Sequence, residues 1–225
     1  MKHLLRAIKS KLGVGPGGPP VPVPNLAGDR ELEWTYAAAR AGRYAGPGKS
    51  VLDFGCGVGV LSFAAASTGA RVLAIDLMPK QFDSPWPKIE FRPADVMSLD
   101  ENAERFDLVF NCSTIEHVGL SGRYNSLEAP DGDLDAMAKL KRLLVPGGHM
   151  ALTLPVGRDA VFKPLHRVYG AERLPRLLEG YEVVEANYWR KDARNVWLPC
   201  SEQEAKAEIG SDHYYAIGCL TLRVE

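Results

Sequence analysis

Four side chains carry most of the chemistry open to this chain: the carboxylates Asp53, Asp76 and Asp95, and the imidazole of His117. Each lies at or just beyond the end of a short apolar run, at residues 50–54, 71–77, 89–91 and 106–112. Carboxylates gathered at strand ends can neighbour a cation or accept protons from hydroxyl and amino groups. An imidazole beside them can take a proton at neutral pH, because its unperturbed pKa is near 6.5.

The elements that must position them follow from the apolar periodicity. Residues 50–54 read as a buried parallel strand, residues 60–66 as a helix packed closely on it, and Gly55, Gly57 and Gly59 as the turn between. Glycine there lets the backbone turn sharply and lets a ligand approach without meeting a Cβ. Ligands of doubly wound sheets bind beyond the carboxyl ends of the strands, where all four residues fall. The spacing departs from the dinucleotide fingerprint: G-x-G-x-x-G from Gly55 needs glycine at position 60, and the chain has Val60. An ionised Asp53 is also a poor neighbour for pyrophosphate and a good one for a cation. A nicotinamide oxidoreductase is the disfavoured alternative on both counts. A binding protein without turnover is the other, since binding residues alone do not establish catalysis.

The strand and turn at residues 51–59 resemble motif I of the class I S-adenosylmethionine-dependent methyltransferases. The resemblance covers about residues 31–155 and includes the helix, Pro146-Gly147-Gly148 and strand that follow in order. It implies a Rossmann-like, doubly wound α/β sheet of seven strands, mostly parallel with an antiparallel final strand, and S-adenosyl-L-methionine as cofactor. It also implies that Asp53 with Gly55 and Gly57 holds the methionyl end, Asp76 the ribose, and Asp95 and Val96 the adenine, with Leu77 a further cofactor contact. Asp76 lies 21 residues beyond Gly55, close to the spacing at which Rossmann-type sites place a ribose-binding acid, although it could instead only cap the next segment. Asn111 is expected to meet the methionine end. The segment 113–123 and His166-Arg167-Val168-Tyr169-Gly170 further resemble a methyltransferase-like family associated with surface-polysaccharide synthesis. That resemblance implies O-methylation of a small-molecule or glycan hydroxyl.

If the acceptor is a hydroxyl, a base must remove its proton, and His117 is the candidate; packing or substrate binding is its other reading. Glu116 should point about 100° away on a helix and is not expected to partner the imidazole. Arg123 and Tyr124, on a loop over residues 119–132, and His166 and Tyr169, placed near the mouth by topology, are candidate acceptor contacts. Trp34 and Tyr36, on a helix over residues 29–44, could wall the cleft or belong to the core.

Length and composition bound the rest. With 225 residues and 46% hydrophobic content the chain suits one α/β domain at 29–225, preceded by a basic segment and Pro/Gly linker at 1–28. Residues 1–13 could rest weakly on an anionic membrane surface or simply fray. A net charge of −1 demotes nucleic acid as a partner, and it leaves the oligomeric state open. Four scattered cysteines without C-x-x-C spacing, five histidines in no zinc pattern, and no run approaching ~20 apolar residues point to a cytoplasmic protein without a metal. Residues 181–189 and 213–224 read as an antiparallel closing pair, with 192–210 inserted between them.

Overall fold

The computed structural model describes residues 29–83, 86–122, 124 and 127–225, so residues 1–28 and the membrane contact expected of them lie outside it, as does Arg123. In chain order the elements are α1 (Asp29–Tyr44), β1 (Ser50–Phe54), α2 (Val60–Ser67), β2 (Arg71–Asp76), β3 (Ile89–Pro93) and β4 (Phe106–Cys112). There follow α3 (Gly132–Leu143), β5 (Leu144–Val156), β6 (Ala160–Phe162), β7 (His166–Val168), α4 (Arg173–Leu177), β8 (Glu182–Lys191), β9 (Trp197–Cys200), α5 (Glu202–Ala207) and β10 (Ala216–Arg223).

Eight strands form one mixed sheet in the order β3-β2-β1-β4-β5-β10-β8-β9, and β6 pairs with β7 apart from it. β1 lies between β2 and β4, parallel to both, so the strand order reverses beside it and a crevice opens at its carboxyl end. β10 runs antiparallel to β5 and to β8, as the closing pair was expected to do. The seven-strand expectation falls one short. Trp197-Leu198-Pro199-Cys200, inside what the sequence presents as an insertion, pairs with β8 as an antiparallel edge strand. Pro199 obscures it in the sequence, yet an edge is where a strand tolerates a residue that cannot donate a ladder bond.

Strand alternation sends neighbouring residues of β4 into different cores. Leu108 and Phe110 of β4 pack with Ala37, Ala41, Leu61 and Ala65 of α1 and α2. Val109, between them, packs on the opposite face with Met137 and Leu140 of α3. Helix, Pro146-Gly147-Gly148 and strand do follow in order, but α3 already ends at Leu143 and the three residues lie within β5. The β4–β5 register shifts between Phe106 and Leu108, and Gly147 takes a φ of 75°. The irregularity is thus absorbed inside the strand as a bulge-like offset. All four cysteines are free thiols.

One position in the turn is closed to any side chain. Gly55 has a φ of 70°, and a Cβ there would press into the side chain of Thr114, whose own Cβ would stand 2.9 Å away. Left-handed backbone costs an L-residue about 1–2 kcal/mol, and overpacking adds about 1–3. Gly55→Ala should therefore lower stability by roughly 2–5 kcal/mol in a denaturant titration. A midpoint equal to the parent's would show that Thr114 moves aside freely.

Candidate functional site

Beyond the carboxyl ends of β1, β2 and β4 lies a cavity of about 420 Å³, within the ~300–1,000 Å³ typical of small-molecule sites. Asp53, Gly55, Gly57, Asp76, Leu77 and the pair Asp95 and Val96 all line it. Leu77, Met78 and Gln81 form part of its wall along the irregular stretch after β2.

Asp76 is fixed by two backbone donors: Gly57 N–H at 3.0 Å to Oδ2 and Met78 N–H at 2.8 Å to Oδ1. It therefore does cap the following segment, and it also staples the glycine turn to β2. A carboxylate offers about four lone-pair sites, so two remain for ligand hydroxyls. Asp95 caps the 3-10 turn Val96–Ser98 by accepting from Met97 N–H at 2.9 Å, which holds both it and buried Val96 at the cavity edge.

Asp53 is 2% exposed and accepts a hydrogen bond from Ser62 Oγ at 2.5 Å. Burial pushes its pKa up to about 6, the Ser62 hydrogen bond opposes the rise, and the Asp76 charge adds to it. A cation in the cavity favours the ionised form, so its binding has to expel any proton that Asp53 holds. Affinity for a cationic ligand should be flat above pH 7 and fall by up to about tenfold per unit below pH 6. Calorimetric titrations with S-adenosylmethionine from pH 5 to 8 check this, with Asp53→Asn expected to remove the slope. A parent profile as flat as the variant's would take Asp53 out of contact with the charge.

Two expected residues are elsewhere. Asn111 is fully buried and does not line the cavity. Alternation in β4 turns it toward α3, where its amide meets Met137 Sδ at 3.5 Å and its carbonyl accepts from Ile115 N–H at 3.2 Å. Cys112 and Ser113, next in sequence, line the cavity in its place. Tyr169 is also fully buried, donating to Asp133 Oδ2 at 3.0 Å, and touches neither this cavity nor the one beside it. It anchors α3, which the sequence could not separate from a contact at the mouth.

A second cavity of about 440 Å³ shares Arg30, Ser113, His117 and Tyr124 with the first. His117 ends the 3-10 turn Ile115–His117, with Nδ1 2.5 Å from the carbonyl oxygen of Leu165 and Tyr124 4.8 Å from its ring centre. A carbonyl only accepts, so Nδ1 carries the hydrogen and the neutral ring holds its basic lone pair on Nε2. Glu116 Oε1 lies 3.7 Å from Nε2, closer than adjacent helical residues were expected to come. Three residues of tight turn do not keep the two apart as a longer helix would. His166 lines the second cavity, hydrogen-bonded through Nε2 to Ser211 O at 3.2 Å and stacked edge-on against Tyr215. Of the aromatics on α1, Trp34 lines the first cavity, whereas Tyr36 shares a 2.8 Å hydrogen bond with Thr221 and belongs to the core.

A family model described as Caenorhabditis protein of unknown function, DUF268, matches residues 61–217. The ubiquinone biosynthesis O-methyltransferase of Xanthomonas campestris pv. campestris (strain B100) is 36% identical over 184 residues, covering 78% of this chain and 70% of that protein. The chain belongs to the DUF268 family and to the class I S-adenosylmethionine-dependent methyltransferases. The ubiquinone biosynthesis O-methyltransferase of Bordetella avium (strain 197N) is 32% identical over 155 residues, 65% of this chain and 57% of that protein. Two solved methyltransferases share the fold. NodS of Bradyrhizobium japonicum WM9, in complex with S-adenosylhomocysteine, superimposes with a TM-score of 0.60 at 20% identity, covering 97% of each chain. The 1,6-didemethyltoxoflavin-N1-methyltransferase of Burkholderia thailandensis does so with 0.59 at 19%, covering 99% of this chain and 88% of that one.

The first cavity of this methyltransferase fits its cofactor in charge as well as size. Arg30 is the only Lys or Arg among its described lining residues, suited to a methionyl carboxylate, while Asp53 suits the cationic groups and Asp76 the ribose. Sequence reasoning missed Arg30, and with it Glu33. Glu33 is 1% exposed, accepts from Arg30 Nη1 at 3.0 Å and Thr153 Oγ1 at 2.9 Å, and also accepts from Ser113 Oγ. The available signal was its position: Glu33, Ala37 and Ala41 share the buried side of α1 at four-residue steps. Ser113 stands at a φ of 45°, strained backbone of the sort that collects at functional sites. Among the described residues no His, Cys, Asp or Glu cluster could hold a metal, and no helix is long and apolar enough to cross a membrane.

Proposed function

We propose that this methyltransferase methylates a hydroxyl of a small polar molecule or glycan held in the second cavity, with His117 taking the hydroxyl proton. The observation that carries the reading is the position of His117, on the wall common to both cavities with its Nδ1 tied to the Leu165 carbonyl. Bound S-adenosylmethionine supplies a methyl group on a sulfonium that is already a good leaving group. The chain's own work is then alignment and proton removal. Alignment can be worth roughly 7–11 kcal/mol, and a positioned base typically about 10²–10⁴ in rate. Once protonated at Nε2, His117 faces Glu116 Oε1 across 3.7 Å.

Support for a polar acceptor comes from the second cavity's lining, in which Leu165 is the one aliphatic residue among those described. An apolar acceptor, such as a lipid-soluble quinone, would lie against carboxylates and imidazoles there. A glycan hydroxyl suits the wall better, in keeping with the polysaccharide association of the second sequence resemblance. The test is transfer of labelled methyl from S-adenosylmethionine into fractionated extract, followed by linkage analysis of the labelled product. Label on oxygen of a polar product supports the reading. Label on nitrogen or carbon, or only in a lipid-soluble quinone, overturns it.

A further inference from the structure

The walls of the second cavity have an uneven charge. Asp29, Glu33, Glu116 and Asp212 line it, and Arg30 is the only Lys or Arg among its described lining residues. Most of these charges are already engaged. Asp29 pairs with Lys191 at 3.2 Å and accepts from Tyr215 Oη at 2.8 Å, and Arg30 pairs with Glu33 at 3.0 Å. Asp212 is approached by His213 at 3.4 Å. Glu116 is different. It is 2% exposed, and its Oε2 has no hydrogen-bond partner among the described residues, the only such side-chain oxygen or nitrogen buried among them.

A buried carboxylate oxygen without a donor is an uncompensated cost in the unliganded protein, and a ligand that brings a donor removes it. We propose that the acceptor carries an ammonium group beside its reacting hydroxyl, and that the cation lodges against Glu116 while the hydroxyl faces His117. This rests on the hydroxyl-acceptor reading above and adds the acceptor's charge class: a cationic amino polyol, with phosphorylated and carboxylated acceptors excluded by like charge. The other oxygen of the Glu116 carboxylate, Oε1, lies 3.7 Å from His117 Nε2, so the carboxylate and the imidazole are near enough for one small acceptor to reach both. A neutral polyol could donate to Oε2 but would leave its charge uncompensated. Burial raises the Glu116 pKa to about 7, and the groups around it, Asp29 and Arg30 from α1 with Ser113 and His117 from its own segment, do not return it to the ordinary range.

Calorimetric titration of the full chain saturated with S-adenosylhomocysteine, at pH 7.5, can test this with three probes of one carbon skeleton: 1-amino-1-deoxysorbitol, sorbitol and gluconate. The amine should bind at least about tenfold more tightly than sorbitol, with gluconate weakest, and Glu116→Gln should erase the amine's advantage while S-adenosylhomocysteine still binds. Equal binding of amine and sorbitol, preference for gluconate, or no binding of any probe overturns the proposal. So does an unchanged preference in Glu116→Gln. If that variant fails to fold, the order of the three probes on the parent protein decides alone. An N-methylated product from extract would sink the hydroxyl reading and leave this binding order standing, so the two failures are distinguishable.

Discussion

Replacing Asp76 with alanine should weaken S-adenosylhomocysteine binding by at least about 100-fold while the protein still folds. Two losses add. The Gly57 and Met78 amides lose their shared acceptor, so the glycine turn is no longer stapled to the end of β2. The ribose hydroxyls lose the lone pairs that those amides leave open. Hydrogen bonds to a charged group contribute about 1.5–3 kcal/mol each, and 100-fold corresponds to about 2.7 kcal/mol, so two such bonds suffice. The fold itself is buffered, because Ala94 N–H bonds to the backbone carbonyl of Asp76, which substitution leaves in place. Asp76→Asn sharpens the test: its amide nitrogen cannot accept, so one backbone N–H must face another donor. It should bind more weakly than the parent although its shape is unchanged. Calorimetry on both variants, with melting temperatures as a control, reads this directly. Affinity within threefold of the parent in the alanine variant would reduce Asp76 to a cap.

What could be read in advance divides along physical lines. The helix at 29–44 and the strand, turn and helix at 50–67 rest on local signals, periodicity bounded by glycine and proline, and the structure reproduces them nearly to the residue. Asp53, Asp76 and Asp95 follow from that local reading, because a strand end in a doubly wound sheet already says where its last side chain goes. Asn111 fails for an equally local reason: it has the parity of Val109, and that parity faces α3. Tyr169 fails because its partner, Asp133, lies far away in sequence. Arg167 donates to the carbonyls of Val118, Ala129 and Pro130, a fixture for the 119–132 loop that no pattern around residue 167 announces. Glu116 is a buried carboxyl, which on a three-residue turn looks like solvated surface until the opposing wall is known, whereas Glu33 had only its spacing with Ala37 and Ala41 to mark it. The second cavity is thus the least legible part of the protein, because it is assembled from α1, the segment after β4, β7 and the residues before β10.

His117→Ala should lower kcat by roughly 10²–10⁴ with S-adenosylhomocysteine affinity changed by less than about threefold. The asymmetry follows from where the ring stands. His117 lies on the wall between the cavities, and Nδ1 is tied to the Leu165 carbonyl. Loss of a base and loss of a positioned wall would both slow the alanine variant, so His117→Asn separates them. An asparagine amide can donate to the Leu165 carbonyl as Nδ1 does, but it has no basic nitrogen. If proton removal is the role, alanine and asparagine fall alike in kcat. If the ring only props residues 113–118 against Leu165, asparagine recovers most of the rate. The acceptor found by labelled methyl transfer is the substrate for this comparison, and kcat is to be separated from KM because Tyr124, packed against the ring, would shift with it in the alanine variant. A full rate in both variants would leave the methyltransferase without this base and move proton removal to the remaining candidate at 3.7 Å, Glu116, which burial already holds near neutrality.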